Sequence, residues 1–189
     1  KHDMGMTYKK IKAISLHENS IRNLVLRQQF ALWYLDAFQS KTRIINIDES
    51  WLGMSDFRRM KWKHPSYENS VAKKLWSPRI SMILAIDNLG ESYVSLSQTN
   101  TTTSVINLYI KELVKHLGKY SRNWRKSTLI FWDGAPYHQS ATTLKHLRDL
   151  EVPMMMSGPH SYDASPCEKW FALFKRVNIN PRNVKCGKR

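Results

Sequence analysis

Two short stretches constrain this chain more than anything else in it. "RIINID" (43–48) and "TLIFWD" (128–133) are apolar runs carrying β-branched and aromatic residues, and each ends on a carboxylate. Runs of this kind read as buried strands of an α/β sheet. In an open α/β sheet, sites form outside the carboxyl ends of the strands, where Asp48 and Asp133 are expected. If the two strands are parallel neighbours, the carboxylates emerge side by side and repel. A hard divalent cation such as Mg²⁺, which prefers oxygen ligands, offsets that repulsion. The competing reading, for either aspartate alone, is that it begins a turn after a strand.

The rest of the pattern fits such a sheet. Residues 20–41 carry Leu24, Leu26, Phe30, Leu32, Trp33 and Leu35 at helical spacing, with Ser20 as N-cap. A short strand is expected around 58–63, followed by a loop past Pro65. Residues 79–98 read as a hairpin turning at Asp87-Asn88-Leu89-Gly90. A helix capped within Thr101–Ser104 carries Ile106, Ile110, Leu113 and Leu117, and Gly118 is expected to close it. Ser140 caps a short helix, 152–156 is a strand, and 165–177 is the last helix. A hairpin-rich start followed by alternating helices and strands predicts an α/β fold with a mixed five-stranded sheet, three antiparallel strands and then parallel additions, flanked by helices. Residues 1–40 form an N-terminal helical and basic segment, 41–180 the α/β domain, and 181–189 a basic tail.

Charge bears on the partner. Thirty Lys and Arg against fifteen Asp and Glu give a formal net charge of +15. The excess is clustered: residues 57–79 hold seven basic residues and one acid, and 169–189 hold seven and none. Basic blocks interleaved with Trp, Tyr and Phe suit a polyanion, nucleic acid above all. No apolar run is long enough to span a membrane. The two cysteines, Cys167 and Cys186, fall short of a disulfide framework and point to a reducing compartment.

A third acid changes the weight of the first two. "SPCEKW" puts Ser165 at an N-cap, Pro166 at N1 and Glu168 at N3. Ser-x-x-Glu is a capping box, so Glu168 has a structural role open to it; the same position also lies at a helix mouth facing the sheet edge. Thirty-four residues, 134–167, separate Asp133 from Glu168. Asp, Asp, thirty-four residues, Glu resembles the acidic triad of one branch of the mariner superfamily of DDE transposases. "IINIDES", "WDGAPYH" and "GPHSYDASPCEKWFALFK" are similar to that family's three motifs, in order, across about residues 22–177. Gly134 stands where the family has Asn, Tyr162 where it has Pro, Ala164 where it has Leu and Ser165 where it has Asn. None of these departures removes a carboxylate.

The resemblance implies a ribonuclease H-like fold and metal-dependent phosphoryl transfer on DNA. Asp48, Asp133 and Glu168 would hold two Mg²⁺ or Mn²⁺ ions ~3.5–4 Å apart. The implied partners are double-stranded DNA, as transposon ends and as target, and further copies of the chain assembled on it. The implied address is the nucleus for a eukaryotic element and the cytoplasm otherwise. The family's upstream helix-turn-helix region is not expected within these 189 residues. Candidate DNA contacts are Lys63, Lys73, Lys74, Lys175 and Arg176 on the backbone. His138 is a candidate for the scissile phosphate, and Trp62 and Trp76 for an unpaired base. Two rivals are another ribonuclease H-like nuclease and a transposase-derived protein that binds DNA without cutting it. A plain basic binding module is a third.

Overall fold

The computed structural model describes residues 17–40, 43–53, 64–66 and 80–176. Five strands, β1 (Arg43–Leu52), β2 (Ile80–Asp87), β3 (Ser92–Ser97), β4 (Thr128–Trp132) and β5 (Met154–Met156), form one sheet in the order β3-β2-β1-β4-β5. β1, β2 and β3 pair antiparallel, and β4 and β5 add in parallel to the other side of β1. This is the mixed sheet expected from the sequence. The β2–β3 hairpin turns at the predicted cluster. Asp87 Oδ1 accepts from the Leu89 and Glu91 amides, and Gly90 takes φ 91°, which suits a residue without Cβ.

Among the described residues five α-helices cover both faces: α1 (Ile21–Gln39), α2 (Thr103–Tyr120), α3 (Trp124–Ser127), α4 (Ala141–Asp149) and α5 (Pro166–Phe174). Ser20, Thr102 and Ser140 cap α1, α2 and α4 by accepting the amides of Asn23, Val105 and Thr143. α2 does not stop at Gly118. It runs through the glycine to Tyr120, because Leu113 and Leu117 hold that last turn against the sheet. The strand expected around 58–63 lies outside the described residues, as do Trp62, Lys63, Lys73, Lys74 and Trp76.

Alternation along β1 sorts its side chains between two cores. Ile45 and Ile47 meet Ile83, Ile130 and Trp132 under α2 and α4. On the opposite face, Met82 and Leu84 meet Cys167 and Phe171 of α5, while Ile44 and Phe131 meet Phe30 and Ala37 of α1. Each such fully buried aliphatic contributes about 1.5–3 kcal/mol. α1 touches the sheet through few residues: Leu32, Trp33, Leu35 and Phe38 are all exposed. The loop after β5 lies close against it, since a Cβ on Gly158 would stand 2.8 Å from the Arg27 Cα.

Candidate active site

The parallel pairing of β1 with β4 runs from Arg43 opposite Thr128 to Asn46 opposite Phe131. Two residues further in the same register, 48 comes opposite 133. Asp133 does follow the end of its strand, but Asp48 does not end β1, which continues to Leu52 against β2. What ends near Asp48 is the partnership with β4. That strand turns away after Trp132, and Asp133 Oδ1 accepts the Ala135 amide at 3.0 Å to close the turn. Asp48 therefore sits at the cleft left where two paired strands part.

Glu168 arrives on the first turn of α5. Pro166 occupies the helix start as expected, but the capping box does not form: Ser165 makes no side-chain cap bond. Its hydroxyl instead reaches Asn46 Oδ1 at 2.8 Å and Asp48 Oδ2 at 3.2 Å. Asn46 supplies the missing cap from β1, its Oδ1 accepting the Cys167 amide at 3.1 Å. A strand side chain thus satisfies an orphan helix donor and ties α5 to the aspartate strand. Glu168 is exposed, and its side chain makes no hydrogen bond among the described residues.

Asp48, Asp133 and Glu168 all line one cleft of about 880 Å³, walled on its far side by Arg22, Leu26 and Trp33 of α1. Burial, aided by the carboxylates of Glu49, Glu168 and Asp133, pushes Asp48 up to about 7 against the lowering pull of the Glu49 amide. Asp133 moves the other way, held below the usual carboxylate range chiefly by its hydrogen bond with His138. Asp48, half-buried and raised in part by the Glu168 and Asp133 carboxylates, is a group whose charge a hard divalent ion would stabilise, so the donor set fits Mg²⁺ or Mn²⁺. Among the described residues no three His, Cys, Asp or Glu side chains converge to hold an ion by themselves. Water and substrate oxygens would complete its shell, as Mg²⁺ prefers.

His138 is not free to meet a phosphate. It is fully buried, with Nδ1 2.8 Å from Asp133 Oδ1 and Nε2 3.0 Å from Glu49 Oε1. The ring stacks on Trp132 at 4.1 Å and 5° between planes. Burial would push the imidazole down, but its two carboxylate partners overcome that and push it up to about 9. Glu49 is the member of this group that motif reading passed over. It shares a strand face with Ile45 and Ile47, both fully buried. An acid in phase with buried isoleucines is itself a sign of a paired carboxylate.

Of the other candidates, Lys175 caps the end of α5 and donates from Nζ to Ser50 Oγ at 2.7 Å. Ser50 lies on the same strand face as Asp48, two residues further along β1. Arg176 is exposed just beyond it. Cys167 is buried, its thiol bonded to the Asn46 carbonyl, which agrees with a packing role.

A family model described as "DDE superfamily endonuclease" matches residues 43–189. The chain belongs to this DDE endonuclease family. The match takes in all three carboxylates and the pair Glu49 and His138. Solved structures with the same fold include a pre-cleavage Mos1 transpososome, with TM-score 0.67 and 18% identity over 94% of this chain and 55% of that one. A Mos1 transposase paired-end complex with left transposon end gives 0.65 and 19% over 92% and 53%. The Mos1 transposase catalytic domain, solved with raltegravir and Mn, gives 0.61 and 17% over 85% and 74%. The chain therefore spans about half the length of the first two. A search of curated proteins found no match. The ribonuclease H-like fold expected from the motifs is the fold of this family member.

Proposed function

We propose that this chain is the catalytic core of a mariner-type transposase, a metal-dependent enzyme that cuts duplex DNA and joins the freed end to a target. One observation carries the reading: three carboxylates from separate elements, Asp48, Asp133 and Glu168, line a single cleft in a DDE endonuclease family member. Their spacing in the sequence supports the mariner branch. So does the fold shared with Mos1 transposase structures, one a paired-end complex with a left transposon end and another a catalytic domain with Mn.

In this reading the three carboxylates hold two divalent ions. The chemistry such ions would supply there is activation of water or a 3′-hydroxyl and stabilisation of the leaving oxygen. The chain's own groups do the holding and aiming. Ser165 steadies one oxygen of Asp48, and His138 with the Ala135 amide occupies Oδ1 of Asp133. Lys175 and Arg176, with the basic run that includes Lys63, Lys73 and Lys74, would hold the DNA backbone. Further copies of the chain would assemble on the DNA, in the nucleus if the element is eukaryotic.

The test is nicking of supercoiled plasmid by the purified chain in Mn²⁺ or Mg²⁺. Loss of outer-sphere partners costs metal sites 10–100-fold, so Asp48→Ala, Asp133→Ala and Glu168→Ala should each reduce cutting by ~100-fold or more while duplex binding stays within about two-fold. Binding that disappears along with cutting would make the acids structural. Binding without cutting in the wild type would favour a transposase-derived binder.

A further inference from the structure

A chain of polar contacts leads from the core to the cleft and ends on a carboxylate of the site. Glu49 is at its inner end, its side chain 6% exposed; His138, at 0%, is in the middle; Asp133, at 52%, is at the open end. Glu49 Oε1 faces His138 Nε2 at 3.0 Å, and Oε2 accepts the Tyr137 hydroxyl at 2.9 Å. The His138 ring cannot swing, because Trp132 stacks on one face at 4.1 Å and Tyr137 meets it edge-on at 4.6 Å. Its Nδ1 and the Ala135 amide both fall on Oδ1 of Asp133, at 2.8 and 3.0 Å. Only Oδ2 of that carboxylate has no such partner among the described residues.

Stability alone gives little reason for this arrangement. A buried acid costs several kcal/mol in desolvation, on the order of what its pairing returns, and well-packed apolar replacements of buried ion pairs are often neutral or better. An aliphatic side chain at 49 would simply extend the Ile45 and Ile47 row. What the polar version adds is a fixed orientation at its one exposed end.

We propose that Glu49 is a positioning residue: acting through His138, it fixes the Asp133 carboxylate so that Oδ2 is presented to the cleft. The inference rests on the metal-site reading given above. In that setting Glu49 and His138 are the outer partners that orient a ligand, and such partners govern metal affinity by about 10–100-fold.

The experiment is Mn²⁺ titration by calorimetry of the purified chain with a DNA duplex present. It compares wild type, Asp133→Ala, Glu49→Leu, Glu49→Gln and the double variant Glu49→Leu with His138→Phe, folding being checked by circular dichroism. Asp133→Ala should abolish one binding event. Glu49→Leu should weaken it at least ten-fold. Glu49→Gln, whose amide can still accept from His138 and meet Tyr137, should stay within about three-fold. The double variant removes both partners of the Glu49–His138 contact together, which a fold tolerates better than loss of one, and leaves the Tyr137 hydroxyl to be satisfied elsewhere. It should fold and bind as poorly as Glu49→Leu, and it carries the test if that single variant does not fold. Asp133→Ala indistinguishable from wild type would overturn the metal reading and this inference with it. Binding lost in Asp133→Ala but unchanged in the folded leucine or double variant would overturn the positioning role alone.

Discussion

Both ring nitrogens of His138 face oxygens of acidic side chains, an arrangement that favours the doubly protonated, charged ring. Its proton is held more tightly in the fold than in the unfolded chain, with the group pushed up to about 9 from 6.5. The sign follows: the stabilisation is fully present below about pH 6.5 and is lost as the pH rises through about 9. Asp133, held low by the same bond, loses its share only in acid, as the pH falls through its lowered value. With a chelator present, the melting temperature of the wild type should therefore decline towards that of His138→Gln between pH 6.5 and 9. Parallel curves would show that His138 does not titrate in that window. The groups that face the ring are Asp133, Glu49 and Tyr137, and the comparison with the variant cancels the titration of Asp48 elsewhere in the cleft.

At the scale of elements, two helices answer to their neighbours rather than to their own sequence. Ser165 is a good cap residue by type, yet α5 takes its cap from Asn46 because packing of Cys167 and Phe171 on the sheet brings the helix start against β1. Asn46→Ala would strip an acceptor from the Cys167 amide and the Ser165 hydroxyl together. It should destabilise by about 1–3 kcal/mol in urea denaturation, more than Ser165→Ala. An equal effect of the two would remove Asn46 as the cap. In α2, Gly118 reads as a stop signal, but the helix passes through it in ordinary helical conformation with open space where a Cβ would go. Gly118→Ala should raise stability by about 0.5–1 kcal/mol. A loss instead would mean that the last turn needs the glycine.

For the whole molecule, the net charge of +15 sets how it meets DNA. Duplex affinity should fall with salt along a log–log slope steeper than about −3, and Asp133→Ala should keep that slope because it removes no cation. A flat salt dependence would separate the basic runs from binding. What the sequence alone determined is whatever depends on near neighbours along the chain. Apolar runs made β1 and β4, the Asp87–Gly90 cluster made the hairpin, and Ser20 and Ser140 made caps, because periodicity and turn chemistry act over a few residues. That Asp48, Asp133 and Glu168 belong together was legible too, from motifs that stand in linear order, and the three line one cleft. The tertiary structure decided the polar partnerships. That Glu49 meets His138, 89 residues away, and that Asn46 caps a helix 121 residues on, depends on strand register and helix docking. Nothing in local sequence encodes either. A buried polar atom takes whichever partner the packed apolar faces bring within about 3 Å, and only the folded chain fixes which one that is.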